Sequence, residues 1–264
     1  MARAPQRPQG ERPRSKPAKL LRVAGLPAVA ALFATAPQRV ERLFFDERMK
    51  SRLGAWCAEL ARAHKPYRLV EADELERIAG SVMHGGIVAL AQPKRLPALD
   101  LDKAAAWARA GEPLLLLDGI GNPHNLGAIA RTAAFFGLPR MVLSDHPAQA
   151  GPSDASYRVA EGGLEHVALY RSVGFAPMLQ LLRRCYRVIG TAAENGQPVD
   201  MLRQAGRPFA LVLGNEEHGL PRATLEACDA IVTIPGSGLV QSLNVAASAA
   251  ILLHALARPP KAPS

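Results

Sequence analysis

Apolar and polar positions along the chain fall into two successive β/α series. In the first, LRVAGLPAVAALFAT (21–35) reads as a short strand running into a helix, and VERLFFD (40–46) as a strand. MKSRLGAWCAELARAHK (49–65) reads as one amphipathic helix with Leu53, Trp56 and Leu60 on a common face. PYRLVEA returns as a strand, DELERIAG as a short capped helix, and GGIVALAQP closes as a strand. This alternation over residues 20–93 predicts a small, compact α/β domain. Residues 94–112, bounded by Pro93 and Pro113, carry one Ala-rich helix and have the composition of a linker. At Leu114 a second series opens with LLLLDGI, an uninterrupted apolar run that predicts a parallel sheet buried on both faces. Further strands are expected at RMVLSD, HVALYR, YRVIGTA, FALVLG and AIVTIP, with helices between them, so that the second domain spans 113–258.

Composition adds a partner class. The 264 residues carry a formal charge of +9, which favours a polyanion, with nucleic acid ahead of an anionic membrane surface. Residues 1–19, rich in Pro, Arg and Gln, read as a disordered basic arm, and 259–264 as a short tail. Cys57, Cys185 and Cys228 are odd in number and lack C-x-x-C spacing, which excludes a disulfide framework or structural zinc and fits a reducing compartment. The N-terminus has no apolar signal region and no apolar run reaches about 18 residues, so neither secretion nor a membrane span is expected. A cytoplasmic protein follows as the expectation.

Three polar, Gly-rich loops sit where apolar strands end: DGIGNPHNLG (118–127), LGNEEHGLP (213–221) and IPGSGLVQSLN (234–244). Ligands of open α/β sheets bind outside the carboxyl ends of strands, so three such loops predict one composite site. Familiar cofactor loops do not match. GIGNPHNLG is not G-x-G-x-x-G, G-x-x-x-x-G-K-[ST] is absent, and no G-x-S-x-G elbow marks a hydrolase.

NPHNLGAIARTAAFFG, VLGNEEHGLP and IPGSGLVQSLNVAASAA resemble, in order, the three signature motifs of the SpoU (TrmH-like) family within the SPOUT superfamily. The segment 20–93, ending VMHGGIVAL, is similar to the small RNA-binding domain that often precedes that catalytic domain. The resemblance implies an S-adenosylmethionine-dependent RNA ribose 2′-O-methyltransferase acting on ribosomal or transfer RNA. It also implies a homodimer and a parallel sheet whose C-terminal segment forms a deep trefoil knot, a rare exception to ordinary connectivity. Carried onto this chain, Gly214, Ile234 and Leu243 would hold the adenine through backbone groups, with Thr191 beside the methionine part. Arg131 would be central to catalysis, Asn125 would orient it or the ribose, and Glu216 would hold that geometry. Ser242 and Asn244 would act near the ribose phosphate, although Ser242 could serve only as a helix cap. A guanidinium with a pKa above about 12 is a poor base, so positioning and charge stabilisation are the expected role of Arg131. Gly236 and Gln241 stand where the family commonly has Met and Glu, and SYRVAEGGLEHV replaces a Ser-Ala-Gly type sequence. The alternative reading is a silent RNA-binding protein that keeps the fold; retention of all five motif residues argues against it.

Overall fold

The computed structural model describes residues 19–199 and 206–256. The expected basic arm, apart from Lys19, and the expected tail lie outside the described residues. The small domain comprises β1 (Leu21–Ala24), α1 (Leu26–Thr35), β2 (Val40–Phe45), α2 (Glu47–Lys50), α3 (Gly54–Arg62), β3 (Tyr67–Leu69), α4 (Ala72–Ala79) and β4 (Ile87–Ala91). Its four strands lie in the order β1-β4-β2-β3, antiparallel except for the β2–β3 pair. The helix expected over 49–65 is broken. Arg52 and Leu53 donate to Met49 and Lys50 in tight three-residue turns, and a fresh helix begins at Gly54. The break lets Leu53 reach the core together with Leu60, while Trp56 stacks on Phe33 at 4.7 Å.

The linker-like stretch carries α5 (Leu101–Arg109) and lies against the large domain, where Ala98 bridges Arg171 and Ala104 and Ala108 enter the core. The large domain continues as β5 (Leu114–Asp118), α6 (Pro123–Phe135), β6 (Arg140–Leu143), α7 (Asp154–Ala160), α8 (Gly163–His166) and β7 (Ala168–Arg171). It ends with α9 (Phe175–Leu182), β8 (Arg187–Thr191), β9 (Phe209–Gly214), α10 (Arg222–Glu226), β10 (Ala230–Val232) and α11 (Val245–Leu256). Six parallel strands order as β10-β8-β9-β5-β6-β7. Strand β5 shows why its run is wholly apolar. Leu115 and Leu117 face the core under α6, α8 and α11, and Leu114 and Leu116 face the core under α5 and α9. Among the described residues, no helix is long and apolar enough to cross a membrane.

The two domains share one continuous core, running from Leu21, Val29 and Leu43 to Leu164, Tyr157 and Leu253. The polar contacts at the seam include an exposed pair, Arg22 with Asp154, and a dry cluster around Glu165. Arg39 grips both oxygens of Glu165 at 2.8 and 2.7 Å and donates to the Tyr157 hydroxyl at 3.2 Å; the Glu165 side chain is 1% exposed. Lys94 donates to the carbonyls of Leu164 and Val167 at 2.7 and 2.9 Å, satisfying the end of α8. Burial pushes the Tyr157 hydroxyl up to about 12 and the Lys94 ammonium down.

A buried ion pair is costly to break singly, because the partner is left charged and desolvated. Arg39→Met is therefore expected to lower unfolding stability by about 3 kcal/mol, and the double variant Arg39→Met, Glu165→Leu to recover most of that loss. Denaturant melts of the three proteins check it; equal destabilisation by the single and the double change would show that the orphaned Glu165 carboxylate is not the source of the loss.

Candidate active site

Each of the three motif loops is shaped by its own local hydrogen bonds. Asn122 caps α6 by accepting from the His124 amide at 2.8 Å, with Pro123 at the first helical position, so Asn125 sits in the first turn. After β9 the chain turns back on itself through the Asn215–Gly219 pair, whose two backbone bonds are 3.0 and 3.1 Å, and Glu216 rides on that turn. The α11 cap is Asn244, whose Oδ1 accepts from the Ala246 amide at 2.8 Å. The cap is thus not Ser242, which lies two residues earlier, exposed and without a hydrogen-bond partner among the described residues.

Asn125 joins the three loops. Its Nδ2 donates to Glu216 Oε1 at 2.5 Å, and its Oδ1 accepts from Asn244 Nδ2 at 3.1 Å. Both ends of the carboxamide are used, which sets its orientation. Asn215, which the sequence reading passed over, makes a second staple. Its Nδ2 donates to Gly119 O at 2.8 Å while its Oδ1 accepts from the Glu217 and His218 amides at 2.9 and 3.0 Å. Gly214 is needed for close approach: a Cβ there would come within 2.6 Å of Gly219 C and 2.7 Å of Leu220 N. Beside this turn opens a cleft of about 290 Å³ lined by Asp118, His146, Asn215, Glu217 and His218.

Arg131 is not joined to this trio. Six residues beyond Asn125, it lies about 9 Å farther along α6 and about 120° round its axis. Its exposed guanidinium pairs instead with Glu161, Nη2 to Oε2 at 3.0 Å. Glu161 too was missed from sequence, and the only signal for it was the departure in SYRVAEGGLEHV.

The remaining candidates lie along one edge. Thr191 ends β8, Gly214 ends β9 and Ile234 follows β10, and these three strands are neighbours in the sheet. The Thr191 hydroxyl is engaged within the fold, donating to Val212 O at 3.1 Å. From Ile234 the loop runs to Leu243 with Leu239, Val240 and Leu243 exposed at 89%, 71% and 47%, and with open space beside Gly236 and Gly238. Apolar side chains, backbone polar groups and small residues at the ends of parallel strands form a donor set suited to an adenosyl group. A flat purine is covered by apolar chains and read by amides and carbonyls. Among the described residues, no cluster of His, Cys, Asp or Glu could hold a metal ion.

Asn125→Asp would set two carboxylates about where 2.5 Å now separates amide from acid. Like charges that close share a proton, so one folded-state pKa rises above its unfolded value. Stability is then fully present in acid and is lost as pH rises through that raised pKa. Melts of Asn125→Asp are expected to show this slope and melts of Asn125→Ala to lack it; parallel pH profiles would dissolve the Asn125–Glu216 contact.

Comparison with known proteins agrees with this geometry. Residues 112–254 match the SpoU rRNA Methylase family and residues 22–97 the family RNA 2′-O ribose methyltransferase substrate binding. The 23S rRNA (guanosine-2′-O-)-methyltransferase RlmB of Bordetella pertussis is 32% identical over 234 residues, covering 88% of this chain and 94% of that protein. RlmB of Ralstonia nicotianae is 36% identical over 237 residues, covering 89% and 94%. The crystal structure of the SpoU methyltransferase AviRb from Streptomyces viridochromogenes with its cofactor AdoMet superposes with a TM-score of 0.69 at 25% identity, covering 94% of this chain and 93% of that one. With one family spanning most of the large domain and relatives aligned along both domains, the chain belongs to the SpoU rRNA Methylase family.

Proposed function

We propose that this chain transfers the methyl group of S-adenosylmethionine to the ribose 2′-hydroxyl of a guanosine in large-subunit ribosomal RNA. The observation that carries the reading is the Glu216–Asn125–Asn244 contact, which gathers all three family motifs at one point. The RlmB relatives, similar along both domains, support the guanosine and the 23S RNA.

When bound, the cofactor supplies an electrophilic methyl on a sulfonium sulfur that leaves as a neutral thioether. Thr191, Gly214, Ile234 and Leu243 would hold it at the ends of β8, β9 and β10. The work of the other residues is to align a weak nucleophile and accept its proton. Asn125 fixes the Glu216 carboxylate through Oε1; Oε2 has no hydrogen-bond partner among the described residues and is the acceptor open to the hydroxyl. Asn244, as both helix cap and partner of Asn125, sets the first turn of α11 against the site, and Ser242 offers a free hydroxyl to the adjoining phosphate. Arg131 remains a cation throughout, so it binds phosphate and offsets charge on the ribose oxygen rather than removing a proton. The small domain binds the RNA, and phosphate contacts make that affinity fall with salt. The enzyme acts in the cytoplasm, and we infer that its C-terminal segment forms the family's knot. The return of β10 to the far side of β8 supports the crossing.

The enzyme works as a homodimer. Phe135 on α6 and Ile251 on α11, helices that pack together, are exposed at 82% and 42%, and Leu239 and Val240 before α11 are exposed at 89% and 71%. Light scattering is expected to give twice the chain mass for the wild type and the chain mass for Phe135→Arg with Ile251→Arg; a monomeric wild type would end the dimer reading.

Total RNA from a strain lacking the protein, incubated with enzyme and methyl-labelled S-adenosylmethionine, is expected to yield 2′-O-methylguanosine in 23S RNA. Arg131→Ala is expected to lose on the order of a hundredfold in rate or more. Label on a base nitrogen, or none despite cofactor binding, would overturn the assignment.

A further inference from the structure

The turn joining α7 to α8 is built against Arg131. Glu161 places its carboxylate 3.0 Å from the Arg131 guanidinium, and the two side chains are 49% and 57% exposed. Two residues on, Gly163 lies so close that a Cβ would meet Arg131 Cα at 2.7 Å and Arg131 N at 2.9 Å. No side chain fits there, so the turn is pressed onto the backbone of the arginine it serves. Its other side is anchored in the small domain. The backbone at Gly162 lies against Ala31 and Pro27, and Glu165 is gripped by Arg39. Glu161 is itself held at φ 44 and ψ 43, a left-handed conformation that a glutamate adopts at a cost. A glycine would meet that backbone demand without cost, as Gly162 does beside it. A carboxylate kept where glycine would be more stable, and aimed at the one arginine of α6, is accounted for by what it holds.

Resting on the reading of Arg131 given above, we propose that Glu161 is a positioning residue for the methyl transfer: its carboxylate holds the Arg131 guanidinium in the orientation that meets the RNA. The guanidinium is otherwise a long, exposed side chain free to sample many rotamers, and ordering it in advance removes that entropy from the transition state. Because Gly162 in this turn and Glu165 in the helix that follows both rest on the small domain, the arginine is referenced to that domain.

The test uses the full chain with Glu161→Gly, Glu161→Gln and Arg131→Ala, measuring kcat, KM for 23S RNA and thermal stability. Glu161→Gly is expected to melt at or above the wild-type temperature, since it relieves the left-handed glutamate, and yet to lower kcat about threefold to fivefold. KM for RNA is expected to move less than about twofold, the mark of an interaction expressed in the transition state. Glu161→Gln, which keeps the shape and loses the charge, is expected to fall between. In an Arg131→Gln background, whose neutral side chain cannot form the ion pair, Glu161→Gly is expected to have a smaller effect on the residual rate than in the wild type. Full kcat in both Glu161 variants, with Arg131→Ala inactive, would overturn the proposal while leaving Arg131 in its role. An equal loss in the Arg131→Gln background would also overturn it, by showing that Glu161 acts elsewhere. Full activity in Arg131→Ala would remove the reading of Arg131 and this inference with it.

Discussion

One carboxamide holds the candidate site together. Asn125 donates to Glu216 and accepts from Asn244, and among the described residues no other side chain hydrogen-bonds to both the turn after β9 and the cap of α11. A hydrogen bond to a carboxylate is stronger than one between neutral groups, and here it spans elements 91 residues apart in sequence. Everything else in the large domain serves to bring those ends together. The β5–β9 pairing aligns Asp118 with Gly214, which puts the start of α6 beside the 215–219 turn. Asn215 then ties that turn to Gly119. The local polar contacts depend on strand register, and register depends on leucines and valines that never approach the site.

Much of the architecture was legible from apolar patterning. Every strand expected from Leu114 onward is present, because a parallel sheet covered on both faces requires runs such as LLLL that few other structures tolerate. The break at Leu53 was not legible. Periodicity alone continues through residues 49–65, and what interrupts it is the tertiary gain of burying Leu53 against Phe33 and its neighbours. At the site, the motif loops were visible by composition and the trio of Asn125, Glu216 and Asn244 could be named. The sequence offered Ser242 as a possible helix cap, and only the helix start at Val245 puts Asn244 in that place instead. Glu161 and Asn215 were invisible for a different reason: acids and amides in loops are ordinary, and their partners, Arg131 and Gly119, are 30 and 96 residues away.

Polar contacts in this protein divide by what surrounds them. The Arg39–Glu165 pair is dry and closes a seam that apolar residues already fill, so its chemistry is structural. The Arg131–Glu161 pair is wet, sits at the rim of the motif face, and contributes little to folding for the same reason that it is open to a substrate. The two pairs stand on either side of a few residues in one turn.

The continuous core beneath the two domains has a geometric consequence. A tethered RNA-binding module would search a volume around its enzyme and accept targets at many separations. Here, Leu21 and Val29 share a packed interior with Leu164 and Leu253, so the substrate-binding family's domain and the motif loops stand at one distance and one angle. Such a protein works as a caliper.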